Sequence, residues 1–246
     1  MVATRRPQLV ELTLRSFHLN LLRRLRAPRL IINIDPAWGS EEDDREVERI
    51  CRQYFEVVDI RRPEVPGFGA AVRWTWSEVA TEWFLHLEDD WLLAWRINPD
   101  HLATQLNDLR VGQVQLSNAS RRRRWRLTPH VIATSPGFIR RTFAEIAVDH
   151  MDPALDPEKQ FYQGHNPVGA AALSAYRTRF YGGPFTPQLM RDTGRMWRKV
   201  RGLRKRVVEG ASIWVDADRK KPMSAYSANM DRMERRLNWS RLLPEV

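Results

Sequence analysis

Apolar positions along this chain switch repeatedly between two spacings, one near two residues and one near three and a half. Val2, Ala3 and Thr4 read as a short first strand. Pro7 then suits the first turn of a helix, and Leu9, Leu12, Phe17, Leu21 and Leu25 recur at near-helical spacing. Leu30-Ile31-Ile32-Asn33-Ile34 is a β-branched run that closes on Asp35 and is stopped by Pro36. Ser40 with Asp43 has the form of a capping box, followed by Val47, Ile50, Cys51 and Tyr54 on one helical face. Glu41, Glu42, Asp43 and Asp44 then read as a first turn that complements the helix dipole.

The alternation continues. Residues 55–60 read as a third strand, Pro63, Pro66, Gly67 and Gly69 as a loop, and Ala70, Ala71, Trp74 and Val79 as one side of a helix. Trp83-Phe84-Leu85-His86-Leu87 is a buried strand that runs straight into Glu88-Asp89-Asp90-Trp91. Asn98-Pro99 opens a helix through Leu102, Leu106 and Leu109, and residues 111–116 and 131–134 have the look of strands. Strand–helix alternation with short connections predicts an α/β fold, a mostly parallel sheet flanked by helices. Beyond about residue 190 the pattern turns basic and irregular, with a last helix expected over residues 230–242.

Composition narrows the class. The 246 residues suit one large α/β domain or two small ones, and 43% hydrophobic residues exclude a disordered chain. No apolar run approaches the roughly 18 residues that span a bilayer, and arginines interrupt every apolar stretch near the start. The single Cys51 leaves no intrachain disulfide or CxxC metal site, so a reducing cytoplasm is expected. Charge adds a partner. Forty basic against thirty acidic residues leave +10, and no acid lies between Asp108 and Glu145, where Arg110, Arg121, Arg122, Arg123, Arg124, Arg126, Arg140 and Arg141 all fall. Such a stretch repels itself unless anions sit beside it, either those of a partner or acids from elsewhere in the fold beside a solvated loop.

Three consecutive carboxylates after an apolar strand are costly, because their mutual repulsion raises at least one pKa. A divalent cation removes that cost, and oxygen ligands suit Mg²⁺ or Mn²⁺. In open α/β sheets ligands bind at the carboxyl ends of strands, where these acids lie. Leu85-His86-Leu87-Glu88-Asp89-Asp90-Trp91 resembles the DxD element of GT-A glycosyltransferases in a Glu-Asp-Asp form. Upstream, Thr4-Arg5-Arg6-Pro7 with Thr13-Leu14-Arg15-Ser16 resembles the first strand and helix of that fold. Ile32-Asn33-Ile34-Asp35 resembles its second strand, and residues 67–80 the helix before the DxD strand. The resemblance covers about residues 1–95, and its specificity lies in the order of these features.

The resemblance implies a GT-A, Rossmann-like fold in which residues 1–110 bind a nucleotide sugar. Residues 111–208 would complete the same domain with acceptor and catalytic groups, and 209–246 would be a basic extension. It implies Asp90 as direct metal ligand, Glu88 and Asp89 as contacts to ribose and metal-bound water, and Thr4, Arg6 and Asp35 as lining of the nucleotide pocket. A further ligand to Mn²⁺ or Mg²⁺ would come from His165 or Asp192, with Arg195, Arg198 and Lys199 as a basic clamp on the diphosphate. An inverting enzyme also needs a carboxylate base. Asp152, Asp156 and Glu158 are the candidates, with Glu158 favoured by the Asp156-Pro157-Glu158 element. Glu158 also reads as an ordinary first-turn helix acid after proline. Glu88 in place of the usual first Asp departs from the family pattern.

The acceptor follows from the charge. Arg121, Arg122, Arg123 and Arg124 beside Trp125 and Arg126 offer guanidinium forks and an aromatic plane, suited to phosphate contacts and base stacking. The favoured acceptor is therefore a hydroxymethylated pyrimidine in DNA, as in bacteriophage enzymes of this kind acting in a host cytoplasm. The alternatives are a cell-surface saccharide or lipid-linked acceptor, and a non-catalytic nucleic-acid-binding protein. A glycoside hydrolase fits poorly, since its two carboxylates stand about 5 to 9.5 Å apart across a sugar.

Overall fold

The computed structural model describes residues 1–25, 29–116, 128–129, 132–182, 186–208 and 211–216. In chain order the elements are β1 (Val2–Thr4), α1 (Pro7–Asn20), β2 (Arg29–Asp35), α2 (Glu41–Tyr54), β3 (Val57–Arg61), α3 (Phe68–Ser77) and β4 (Trp83–His86). Then follow β5 (Trp91–Leu93), α4 (Pro99–Leu106), β6 (Val111–Gln115), β7 (Thr128–Pro129), β8 (Gly137–Arg140), α5 (Arg141–His150) and α6 (Pro167–Ala172). The last are β9 (Arg177–Phe180), β10 (Met190–Asp192), α7 (Thr193–Val200), β11 (Leu203–Val208) and β12 (Ala211–Asp216).

Local chemistry accounts for the boundaries. Pro7 occupies the first turn of α1, where a missing N–H costs nothing. Ser40 and Asp43 form the expected capping box on α2, and Asn98 caps α4 by accepting from the Asp100 and His101 amides. Not every acid in the first turn of α2 is a solvated dipole partner. Asp44 is buried and takes an ion pair from Arg62 at 2.6 Å and another from Arg5 at 3.4 Å.

Two strand groups meet at one seam. β3, β2 and β1 run parallel, in that order. The second group runs β4-β8-β6-β9-β7, with β8 antiparallel to both neighbours and β6 parallel to β9. β1 joins the groups. The Val2 amide donates to the Leu87 carbonyl at 2.9 Å and the Asp89 amide to the Val2 carbonyl at 3.1 Å, a parallel bridge at Glu88. The strand order reverses at this seam, with β2 on one side of β1 and the end of β4 on the other, which makes it the switch point of the sheet.

Two apolar clusters hold the layers. One joins Val10, Leu14 and Phe17 of α1 and Val47 and Ile50 of α2 to Ile32 and Ile34 of β2. The other joins Ala71, Val72 and Trp76 of α3 to Ile139, Phe143 and Ala147 around α5. Burying each large side chain contributes about 1.5–3 kcal/mol. The fold is the expected α/β class, with a parallel half and a mixed half flanked by helices.

Several expectations change. Of residues 131–134, Val131 lies outside the described residues and Ile132, Ala133 and Thr134 join no strand. The strand is β8, a few residues later, and Gln113 and Gln115 side chains bond the Ala133 backbone in place of a ladder. The helix whose first turn Glu158 was expected to occupy is a single 3-10 turn, Lys159–Phe161. The boundary expected between 208 and 209 falls inside the β11–β12 hairpin. The helix expected over 230–242 lies outside the described residues.

Candidate active site

The acids leave β4 at the seam, and helix α1 fixes their backbone. Thr13 Oγ1 donates to the Asp89 carbonyl at 2.9 Å and accepts from the Trp91 amide at 3.2 Å. One turn on, Ser16 Oγ accepts from the Leu93 amide at 3.0 Å. Two small hydroxyls thus sit where an apolar helix face would hold larger groups, and they anchor the chain that carries the carboxylates. Glu88, half-buried, accepts from the Trp91 indole N–H at 2.8 Å.

Asp89 and Asp90 part company in their surroundings. Asp89 is 3% exposed and both its oxygens are engaged. Oδ2 accepts from the Thr4 amide (3.0 Å), Thr4 Oγ1 (3.1 Å) and Arg6 Nε (3.3 Å), and Oδ1 from Arg6 Nη2 (2.5 Å). The structure therefore uses Asp89, Thr4 and Arg6 first on one another, beneath the site. Arg6 reaches Asp90 Oδ2 as well, at 3.3 Å. Asp90 is 8% exposed, and burial first, then the Asp89 charge and that of Asp192, push its pKa up to about 6 despite Arg6 and Arg198.

Asp192 arrives from the other end of the chain. It ends β10, which pairs antiparallel with β5 so that Asp192 lies opposite Trp91, next to Asp90. There it caps α7 by accepting from the Arg195 amide at 2.5 Å. The Thr193 and Gly194 amides donate to the Asp90 carbonyl at 2.9 and 3.2 Å. Arg198, one turn into α7, spans the two carboxylates, with Nη1 at 3.7 Å from Asp90 Oδ2 and Nη2 at 3.6 Å from Asp192 Oδ2. Gly194 is pressed onto Asp90: a Cβ there would lie 1.9 Å from Oδ2.

Asp35 ends β2 on the same side. It is buried, accepts from Asn33 Nδ2 at 2.8 Å and from the Gly67 amide at 3.2 Å, and burial raises its pKa with a contribution from the Asp89 charge. Just beyond, Trp38 is 40% exposed in a left-handed backbone conformation, φ 68°. Its ring meets Trp197 of α7 edge-on at 5.6 Å, and Trp197 lies between Arg6 (5.0 Å) and Arg201 (4.3 Å). No periodicity linked Trp38 or Trp197 to the site; the Trp38-Gly39 pair, a turn signal after Asp35, was the available clue.

The base candidates separate as well. Asp156 is buried and serves its own turn, accepting from the Glu158 and Lys159 amides at 3.1 Å each and from Lys159 Nζ at 3.2 Å. Exposed Asp152 accepts from the Ala154 amide. Glu158 is half-buried, and its Oε1 accepts from the Thr134 amide at 2.6 Å and Thr134 Oγ1 at 3.1 Å. Its loop packs on the start of α3, where a Cβ on Gly69 would meet the Leu155 and Pro153 carbonyls. Arg195 is exposed on α7. Arg121, Arg122, Arg123, Arg124, Trp125 and Arg126 lie outside the described residues.

A divalent cation fits Asp90 and Asp192. They are hard oxygen donors from two elements, and their mutual repulsion is what a cation would relieve. Mg²⁺ and Mn²⁺ sites commonly use one or two carboxylates and leave other positions to phosphate oxygens and water. His165 does not join them. It is exposed in a turn tied to α5 and α6 by Asn166, which donates to the His150 carbonyl and accepts from the Gly169 amide. Among the described residues no three His, Cys, Asp or Glu side chains form a metal-holding group. Nor is any described helix long and apolar enough to cross a membrane.

No family model matches the sequence, and no curated protein matches it. Solved structures do match. One is a mannosyltransferase from Pyrobaculum calidifontis in complex with GDP-mannose and Mn²⁺, 13% identical, TM-score 0.51, over 73% of this chain and 53% of that one. Another is residues 1–349 of TarS from S. aureus, 11% identical, TM-score 0.53, over 81% of this chain and 62% of that one. A third is HddC from Yersinia pseudotuberculosis, 10% identical, TM-score 0.50, over 78% and 92%. This chain spans between half and two thirds of the length of the first two. At such identity the likeness concerns the fold, which is of the GT-A type.

Proposed function

We propose that this protein is a divalent-metal-dependent glycosyltransferase, moving a sugar from a nucleotide diphosphate donor to a hydroxyl acceptor. The observation that carries the reading is the pair Asp90 and Asp192, brought to the sheet's switch point from chain positions a hundred residues apart and spanned by Arg198. A cation held there by Asp90 and Asp192 would neutralise charge on the departing diphosphate. Arg198 and Arg195 on α7 offer guanidinium forks of the kind that bind phosphates. Asp35, accepting at the end of β2, suits a base with an N–H on its pairing edge. Glu158 takes the acceptor hydroxyl's proton.

The finer reading, DNA carrying hydroxymethylated pyrimidines as acceptor, rests on the sequence alone, on the +10 charge and the arginines from Arg121 to Arg126. One experiment separates the levels. The protein is incubated with Mn²⁺, a panel of nucleotide sugars, and either duplex DNA containing 5-hydroxymethylcytosine or 5-hydroxymethyluracil, or saccharide and lipid-linked acceptors. Nucleoside diphosphate release that stops with a chelator supports the transferase. A sugar mass on the digested nucleosides supports DNA, whereas transfer only to saccharide or lipid replaces it. No release with any donor from folded protein would overturn the catalytic reading. Glu158→Gln should lower kcat by roughly 10²- to 10⁴-fold with little change in donor KM.

A further inference from the structure

Three polar side chains sit in the second strand group where apolar ones would be cheaper. Gln113 and Gln115 of β6 and His86 of β4 are each 1% exposed or less. Buried amides and imidazoles cost stability unless bonded, so their partners matter. Gln113 bonds both backbone groups of Ala133, its Nε2 donating to the carbonyl at 2.5 Å and its Oε1 accepting from the amide at 3.2 Å. Gln115 Nε2 donates to the same carbonyl at 3.3 Å, and its Oε1 accepts from Ser135 Oγ at 2.7 Å. His86 accepts at Nδ1 from the Trp76 indole at 3.0 Å, which leaves the ring proton on Nε2. Burial pushes the His86 pKa down to about 3, so the ring is neutral. Its Nε2 is buried and has no hydrogen-bond partner among the described residues.

The two glutamines thus act on one stretch of three residues, and the middle one is Thr134. Its amide and hydroxyl both donate to Oε1 of Glu158. Two donors converging on one oxygen fix the carboxylate in a single orientation, and the orientation of a base is worth orders of magnitude in rate. We infer that Thr134 is a positioning residue for Glu158, and that Gln113 and Gln115 form a buried polar tray that holds Thr134 in place. The inference rests on the reading of Glu158 as base. It also accounts for polar residues that neither the core nor the donor site needs.

Thr134→Val keeps the shape and removes the hydroxyl. It should lower kcat about 10- to 100-fold with donor KM within about twofold, and Thr134→Ser should recover most of the loss. Combined with Glu158→Gln, Thr134→Val should cost nothing further, since both act through one group. Gln113→Met, which removes the substitute ladder but keeps the hydroxyl, should show the same loss confined to kcat. Wild-type kcat in Thr134→Val beside an inactive Glu158→Gln would overturn the inference and spare the base. Wild-type kcat in Glu158→Gln would remove the base itself. Amide hydrogen exchange tests the geometry without any substrate. In Glu158→Ala the Thr134 amide should exchange at least about tenfold faster; unchanged exchange would overturn the inference.

Discussion

Replacing Asp90 by Asn is expected to abolish metal-dependent turnover, by a thousandfold or more on the order of magnitude of lost metal and electrostatic catalysis. The fold should not suffer for it. Asp90 is buried beside Asp89 and Asp192, and its pKa stands at about 6 against 3.8 for an ordinary aspartate. A carboxyl that holds its proton more tightly folded than unfolded makes the folded state lose stability as pH rises from about 4 to about 6, with no further loss above. Asn carries no such penalty. The Tm of Asp90→Asn, relative to wild type, should therefore climb across that window and stay higher above it. Mn²⁺ binding by the wild type should weaken below pH 6, where a proton competes for the same oxygens. Calorimetric scans at several pH values with and without Mn²⁺ test both. A relative Tm that falls across the window would show that Asp90 is stabilised as an anion by Arg6 and Arg198.

Arg6→Met should have the opposite profile, a large loss of stability. Arg6 holds Asp89 through Nε and Nη2, reaches Asp90, donates to Thr4 Oγ1 at 2.7 Å and lies over Trp197. Removing it leaves two buried carboxylates facing each other with their nearest shared counter-charge gone. Breaking such a buried pair costs roughly 3 to 5 kcal/mol. At about 2 to 4 °C per kcal/mol for a chain this size, Tm should fall by about 10 °C. Arg6→Lys keeps the charge without the fork and should fall between. The part of the loss that comes from Asp90 should shrink as pH falls toward about 6, where Asp90 takes up a proton even beside Arg6, and a uniform loss at all pH values would assign it to packing.

The amino-acid order carried the first half of the fold openly, because its signals are local. Pro7, the Ser40–Asp43 box and the Asn98-Pro99 cap set helix starts within a few residues, and Leu30 to Ile34 could hardly be other than a buried strand. The second half hides behind long-range partners. β8 has only Phe138 and Ile139 as apolar signal, and its last residue, Arg140, is buried because the Val111, Leu106 and Asp108 carbonyls and Glu82 receive its guanidinium. Residues 131–134 carry a strand's composition, but part of their pairing is made by glutamine side chains that no spacing announces. In the site, Asp90 was legible as an acid at a strand end. That Asp89 belongs to Arg6, 83 residues away, and that Asp192 comes alongside through β10, are facts of topology. Thr134 carried no signal of its own.

Gly194 shows how a position can matter without any chemistry of its own. It contributes no functional group, yet the space its side chain would fill belongs to Asp90 Oδ2. In a saturation-mutagenesis map, position 194 should reject even alanine and score beside Asp90 and Asp192, whereas the exposed Arg191 of β10 should tolerate far more. A map of that kind ranks intolerance and not role. Read alone, it would count Gly194 among the reacting groups, when what the chain requires there is an absence of atoms.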